Sequence, residues 1–201
     1  MSDLSVGTAH QAEITLRKVG GDASLLLERI AESEGLARMF AVLALCHGEE
    51  FNVRVDYGKT LAEMVAACNC PLVDPNITSG NFPMEGSGVQ VVTIRLFHFG
   101  RKVIKDRVLR DLRLLGHRSA RIEELLALGA AKPELQTRFP IIALGSASPL
   151  LYEEDHGAAT GQGHCYVPLL ELAVPESKRK VGAEWDNITW NEECRFAAVR
   201  M

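Results

Sequence analysis

Cysteine and histidine side chains that could bind a metal occur in this sequence as two close pairs. Cys68 and Cys70 are separated by one residue, and His164 adjoins Cys165. Zinc sites usually space their cysteines by two to four residues so that both thiolates reach one ion, and neither pair has that spacing. We therefore interpret these thiols as buried or incidental, and we predict no metal site and no bound cofactor.

A cysteine or serine nucleophile needs a base and an orienting acid close to it. Residues of these types are present, as they are in any chain with six histidines: Cys165, Ser146, His98, His156 and Asp155. Only geometry selects a catalytic set from such a group. The sequence therefore predicts no catalytic residue and favours a non-enzymatic role, with an enzyme kept as the alternative.

Three short segments imitate the motifs of phosphate or acid–base sites. Gly58-Lys59-Thr60 matches the end of a phosphate-binding loop, but Val53 stands where that motif requires a glycine, so we interpret the segment as a helix cap. The glycine-rich stretch 157–163 does not open a helix and is more typical of a hairpin loop. The acidic run 153–155 is typical of a solvated turn.

A basic segment is the most conspicuous charged feature of a chain whose net charge is −4. Between Arg101 and Arg121 there are eight Lys or Arg residues and two acids. Such a segment could contact nucleic-acid phosphates or an acidic protein surface, and two helices around Gly116 would resemble a helix-turn-helix. Plain solvation of an amphipathic helix is the alternative. The candidate partner-binding residues are Arg101, Lys102, Lys105, Arg107, Arg110, Arg113 and Arg118.

A second candidate surface is made of polar and aromatic residues in loops and at strand ends, where binding residues are often found. Turn formation by the asparagines and core anchoring by the tryptophans are the alternative interpretation. The candidate ligand or surface residues are Asn76, Asn81, Gln136, Ser146, His164, Trp185 and Arg195, with Thr78 and Trp190 beside them.

Hydrophobic periodicity predicts the elements that position these residues. Three lie at the N-terminus: a strand over 12–19 and helices over 22–33 and 36–46. The next four are a strand over 51–56, a helix over 61–68 that begins with the capping-box spacing Thr60-x-x-Glu63, a loop over 71–88 and a strand over 89–99.

The second half of the chain is predicted to contain two helices and then short strands. The helices cover 103–115 and 120–128, the first with an apolar stripe opposite its basic residues, the second capped by Ser119 and closed by Gly129. Pro133 opens a turn to Gln136. Four strands are predicted over 139–146, 166–174, 181–185 and 194–201.

These elements predict an α+β fold in which helices pack on a mainly antiparallel sheet with a C-terminal four-strand region. At 201 residues the chain is expected to form one domain, with an N-terminal part over 1–50 and a core over 51–201. No membrane-spanning run or signal peptide is recognisable, so we expect no membrane contact, a cytoplasmic location and five reduced cysteines.

Several motifs from residue 51 to the C-terminus resemble those of a family of uncharacterised bacterial proteins found in bacterial and mobile-element contexts. The matching pieces are Thr60-Leu-Ala-Glu-Met, Asp74-Pro-Asn-Ile-Thr, Asn81-Phe-Pro, Phe97-His-Phe-Gly, Glu123-Glu-Leu-Leu-Ala, Pro133-Glu-Leu-Gln, Phe139-Pro-Ile-Ile-Ala-Leu-Gly-Ser and Arg195-Phe-Ala-Ala-Val-Arg. The resemblance covers about three quarters of the chain. It implies no reaction, cofactor or catalytic residue.

The sequence therefore favours a non-enzymatic accessory protein that binds a macromolecular partner, most simply another protein. Contact would be made through the basic helix or through the sheet that carries Trp185 and Arg195. One alternative is a small-molecule-binding protein or enzyme with a pocket between the 71–88 loop and the C-terminal sheet. The other is nucleic-acid binding through residues 101–121.

Overall fold

The computed structural model describes residues 48–148 and 165–201. The strand and helices predicted within residues 12–46 lie outside this part of the chain. So do the stretches 153–155 and 157–163, and with them His156 and His164. The prediction of a single domain over residues 1–201, with a separate N-terminal part, stays a prediction.

The described residues form three helices, one 3-10 turn and ten strands. The helices are α1 (Leu61–Cys68), α2 (Lys105–Leu114) and α3 (Ile122–Ala131), and the 3-10 turn is Leu135–Thr137. The strands are β1 (Glu49–Asp56), β2 (Leu72–Val73), β3 (Val89–His98), β4 (Val103–Ile104), β5 (His117–Ser119), β6 (Ile141–Ile142), β7 (Tyr166–Ala173), β8 (Lys178–Trp185), β9 (Thr189–Trp190) and β10 (Arg195–Arg200).

Eight of the described strands form one mixed sheet in the order β1-β3-β10-β6-β7-β8-β2, with β5 added to β10. The β10–β6 and β8–β2 pairs are parallel, and the other pairs are antiparallel. A separate two-stranded ladder joins β4 to β9. The predicted α+β class with a mainly antiparallel sheet is therefore confirmed.

The sheet buries apolar side chains on both of its faces. Val53 and Val55 of β1 join Ile94 of β3 in a core that also contains buried residues of α1 and α3. Because alternate residues of a strand point to opposite faces, Phe97 and its β10 partner Phe196 lie on the other face. Phe196 there makes edge-to-face contacts with Phe99 and Trp190, at ring-centroid distances of 5.6 and 6.3 Å.

The capping box predicted at the start of α1 is confirmed. The Glu63 amide donates to Thr60 Oγ1 at 3.3 Å, and the Thr60 amide donates to Glu63 Oε2 at 2.8 Å. The Thr60 side chain and the Glu63 carboxylate thus satisfy two amides that the first turn leaves unpaired. Gly58-Lys59-Thr60 is a helix cap, as predicted.

Short strands on either side of α2 change three of the predicted boundaries. Residues 103 and 104 pair with β9, so α2 begins at Lys105 and not at Val103. The predicted cap Ser119 lies in β5, where its hydroxyl donates to the Ala197 carbonyl at 3.3 Å and accepts from the Leu144 amide at 2.8 Å. Since β5 separates α2 from α3 and pairs with β10, the helix-turn-helix interpretation is wrong.

Gly129 lies inside α3 and does not end it, contrary to the prediction. A Cβ atom at this position would stand 2.7 Å from both Cys68 Sγ and Leu170 Cδ1. The glycine therefore lets α3 pack closely against the end of α1 and against β7. Close packing and not helix termination explains the residue.

We expect Gly129→Ala to lower the free energy of unfolding by about 1–2 kcal/mol, because overpacking outweighs the better helix propensity of alanine. Urea unfolding would measure the change. Gly80→Ala is the matched control, since the nearest atom to its added Cβ is 3.9 Å away. If Gly129→Ala were as stable as the parent, the contact between α1 and α3 would be able to accommodate an added methyl group.

Candidate functional site

Half of the basic segment is neutralised within the protein. Lys105 pairs with Asp186, Arg107 with Asp111, Arg118 with Glu124 and Arg121 with Glu85. Asp186 and Glu85 are far along the chain from their partners, and Glu124 belongs to the next helix, so these three pairings depend on tertiary structure. Lys105, Arg107 and Arg118, all predicted to contact a partner, are engaged inside the molecule.

The Glu124 carboxylate is the most completely bonded of the four acids. It is fully buried in the first turn of α3. Oε1 accepts from Tyr57 Oη at 3.0 Å and from Arg118 Nη2 at 2.5 Å. Oε2 accepts from Arg118 Nη1 at 2.9 Å and from the Arg121 amide at 2.8 Å. Arg118 thus binds the carboxylate in the bidentate geometry that suits a guanidinium.

These contacts decide the charge of the carboxylate. Burial by itself raises the pKa of Glu124, but the hydrogen bonds from Arg118, Arg121 and Tyr57 outweigh it and hold the pKa below its ordinary value. The hydrogen bond to Glu124 raises the pKa of Arg118 in turn. Burial, with Glu124 beside it, raises the pKa of Tyr57. Glu124 is therefore a charged residue of the interior at neutral pH.

Asp111 is the second fully buried acid of this region, and its cations come from its own helix. Arg107 Nε lies 2.6 Å from Asp111 Oδ2, and Arg110 Nε lies 3.7 Å from Oδ1. An i,i+4 pair of this kind orients the arginine along the helix surface. Arg107 therefore belongs to the internal support of α2.

The remaining cations are exposed. Among the described residues, Arg101, Lys102 and Arg113 form no ion pair, and the Arg110 side chain is 51% exposed. A depression of about 530 Å³ on α2 is lined by both apolar and charged side chains. We call its lining residues the α2 face: Asp106, Leu109, Arg110, Arg113 and Leu114.

Leu114 is 45% exposed on this face and adds an apolar side chain beside the arginines. Periodicity along α2 places Asp106, Arg110 and Arg113 on one side of the helix, at i, i+4 and i+7. The candidate residues predicted from the sequence include the arginines but not Asp106, Leu109 or Leu114. The same helical spacing would have identified all five.

The polar and aromatic set predicted as a second surface is dispersed among separate contacts. Asn81 Nδ2 donates to the Asn76 carbonyl at 2.9 Å, which is turn formation. Ser146 Oγ accepts from the Ile122 amide at 2.9 Å and so caps α3. Trp185 packs on Tyr166 with ring centroids 4.2 Å apart.

Gln136 and Arg195 are also engaged locally. Gln136 is buried, and its Nε2 donates to the carbonyls of Glu171 and Lys180 at 3.1 and 3.4 Å. The Arg195 guanidinium lies 4.6 Å from the centroid of the Phe139 ring. Among residues 48–148 and 165–201, the hydrogen bonds that join members of the predicted set are those within one turn, between Asn76, Thr78 and Asn81.

The loop at 71–88 is attached to the sheet edge by backbone pairing. Its segment β2 pairs with β8, and the Asp74 amide donates to the Val181 carbonyl at 2.8 Å. The Lys180 ammonium lies 3.8 Å from Asp74 Oδ2 and 3.3 Å from Glu171 Oε1. The predicted ligand pocket between this loop and the C-terminal sheet stays a prediction.

Searches of the described segments and of known proteins add three findings. Residues 48–148 and 165–201 hold no group of three or more His, Cys, Asp or Glu that could bind a metal ion. None of the described helices is long and apolar enough to cross a membrane. Comparisons with protein-family models, with curated proteins and with solved structures find no match. The resemblance to a bacterial family therefore stays a prediction.

We expect Glu124→Gln to lower the free energy of unfolding at neutral pH by about 2–3 kcal/mol. A larger loss is not expected, because the Arg118 side chain is 39% exposed and water can solvate it. The folded-state pKa of Glu124 is lowered, so its stabilisation is complete above the ordinary value of 4.5 and is lost as pH falls through the lowered value.

Urea unfolding of both proteins over a falling pH series measures this difference. The difference in free energy of unfolding between parent and variant should become smaller at pH values below the ordinary carboxyl pKa. Glu134→Gln, at an exposed residue, is the control and should change little. If this difference in free energy of unfolding stayed constant into the acidic range, the charge of Glu124 would not stabilise the fold.

Proposed function

We propose that this chain is a non-enzymatic interaction protein that binds an acidic partner protein through the α2 face. The observation that carries the proposal is that exposed Arg110, Arg113 and Leu114 line one depression together with the partly buried Leu109. Arginine and large apolar side chains are enriched where proteins bind each other, and a partner carboxylate can pair with a guanidinium in a bidentate manner.

The internal ion pairs limit the positive charge that a partner protein can meet at the α2 face. Lys105, Arg107 and Arg118 satisfy carboxylates of the protein itself, so the positive potential is confined to fewer side chains than the sequence indicates. A partner with acidic residues beside an apolar strip complements such a surface. The α2 face is a better candidate than Trp185 and Arg195, which already contact Tyr166 and Phe139.

A protein partner fits the α2 face better than a nucleic acid. Nucleic-acid binding generally uses a continuous basic surface that follows the phosphates. Here Asp106 is exposed within the face, and β5 removes the helix-turn-helix arrangement. A phosphate backbone also offers no apolar surface that Leu109 and Leu114 could contact. We therefore treat DNA binding as a competing outcome of the experiment.

We expect Arg113→Glu to weaken binding of an acidic amphipathic peptide about tenfold, because it replaces an attractive charge with a repulsive one. Leu114→Gln should weaken binding about threefold by removing apolar contact. The probe is a fluorescein-labelled peptide with glutamates and leucines at helical spacing, and fluorescence anisotropy measures its binding. Arg107 is unsuitable for charge reversal because it supports Asp111.

Matched controls make the same kinds of change, a charge reversal and an apolar-to-polar replacement, elsewhere on the surface. Lys178→Glu carries the charge change on an exposed residue of β8, and Val174→Gln carries the polar change on a side chain that is 88% exposed. Both should bind like the parent. A peptide with lysines in place of glutamates and a DNA duplex complete the set. Equal weakening by Lys178→Glu, or tight binding of DNA without binding of the acidic peptide, would overturn the proposal.

A further inference from the structure

Two cysteine sulfur atoms meet where α1 ends. Cys68 is the last residue of the helix, Asn69 follows with a left-handed φ of 49°, and Cys70 comes next. Asparagine is one of the few residues that adopt this conformation readily. The tight turn brings Cys68 Sγ and Cys70 Sγ to 3.3 Å. A disulfide bond of about 2.05 Å would need an approach of only about 1.2 Å.

Residues of three other elements surround this turn. Arg179 of β8 donates from Nη1 to the Cys68 carbonyl at 3.3 Å and from Nη2 to the Asn69 carbonyl at 2.6 Å. Gly129 of α3 leaves the space that Cys68 Sγ occupies. Cys70 Sγ lies 3.5 Å from Gln136 Oε1. The sulfur pair is therefore positioned by tertiary contacts and not by the flexible chain alone.

The two thiols differ in access and in acidity. Cys68 is 1% exposed, whereas Cys70 is partly exposed. The hydrogen bond from Cys68 lowers the pKa of Cys70 to about 7, and the nearby Arg179 guanidinium contributes to the same shift. The same hydrogen bond and burial raise the pKa of Cys68. Cys70 has the properties of an attacking thiolate, and Cys68 those of a resolving thiol.

We propose that Cys68 and Cys70 form a redox-active dithiol that undergoes thiol–disulfide exchange with the disulfide of a small thiol compound. The proposal is independent of the α2 face, which shares none of these residues. A metal site is a weaker interpretation, because the described part of the chain adds no further His, Cys, Asp or Glu to the two thiols, and a tetrahedral ion requires four ligands.

The exchange balances in two steps. Cys70 loses its proton, and its sulfur attacks one sulfur of the external disulfide; a new S–S bond forms, the external S–S bond breaks, and one small thiolate leaves. Cys68 then loses its proton, and its sulfur attacks Cys70 Sγ, which closes the Cys68–Cys70 bond and releases the second small thiolate. The two protons pass to the two thiolates, so the protein is oxidised by two electrons and the disulfide is reduced to two thiols.

Mass spectrometry of the full-length protein treated with oxidised glutathione tests the proposal. Trypsin releases residues 60–95, a peptide that contains Cys68 and Cys70 and no other cysteine. We expect this peptide to lose two hydrogen atoms and to resist alkylation. Cys194 is buried, and burial raises its pKa to about 11, so it should stay reduced. A reduced 60–95 peptide, or a persistent glutathione adduct on it, would overturn the proposal.

Serine variants test the separate roles of the two cysteines. Cys68→Ser should trap glutathione on Cys70, and Cys70→Ser should leave Cys68 unmodified. In Cys68→Ser, adduct formation reports the attack by Cys70 alone. In the parent, the rate at which Cys70 attacks glutathione disulfide should rise with pH around a midpoint of about 7. At neutral pH the parent should react about threefold faster than the urea-unfolded chain, because a larger thiolate fraction outweighs a lower nucleophilicity. Faster modification of Cys68 than of Cys70, or equal rates in folded and unfolded chains, would contradict the assignment.

Discussion

The carboxylate of Glu124 is the interaction on which the arrangement of this protein depends. Burying an unpartnered carboxylate costs several kcal/mol, so the charge is tolerated only when donors surround it. Its four hydrogen bonds come from Tyr57 after β1, from Arg118 on β5 and from the residue that precedes α3. The charge therefore fixes where α3 begins relative to the sheet, and α3 supplies much of the core.

The same helix connects the two places where we propose chemistry or binding. At its start, Glu124 neutralises Arg118, which reduces the unpaired charge of the basic segment to the cations exposed on and beside α2. Further along, Gly129 admits the Cys68 sulfur and so permits the close approach to Cys70. Helix α3 thus affects both places: its Glu124 neutralises one cation of the basic segment, and its Gly129 leaves space for the sulfur atom of Cys68.

Long strands and the helix cap were predictable because their signals are local. Alternating side chains over β1, β3, β7 and β8 and the Thr60–Glu63 spacing identify elements that hold their own hydrogen-bonding pattern. The short strands β2, β4, β5 and β9 were missed, and β6 is much shorter than the predicted strand over 139–146. Two or three residues cannot show an alternation, and their pairing depends on partners far along the chain.

The sequence by itself determined the α+β class, the mainly antiparallel sheet and the concentration of positive charge after residue 100, because composition and periodicity act over neighbouring residues. Only the tertiary structure decided which cations remain available, since Asp186 reaches Lys105 from far along the chain and Glu124 meets Arg118 from the next helix. It also decided that Cys68 and Cys70 face each other beside Arg179 and Gln136. The physical reason is that pairing of charges and approach of sulfur atoms are set by distance in space, which residue spacing does not specify.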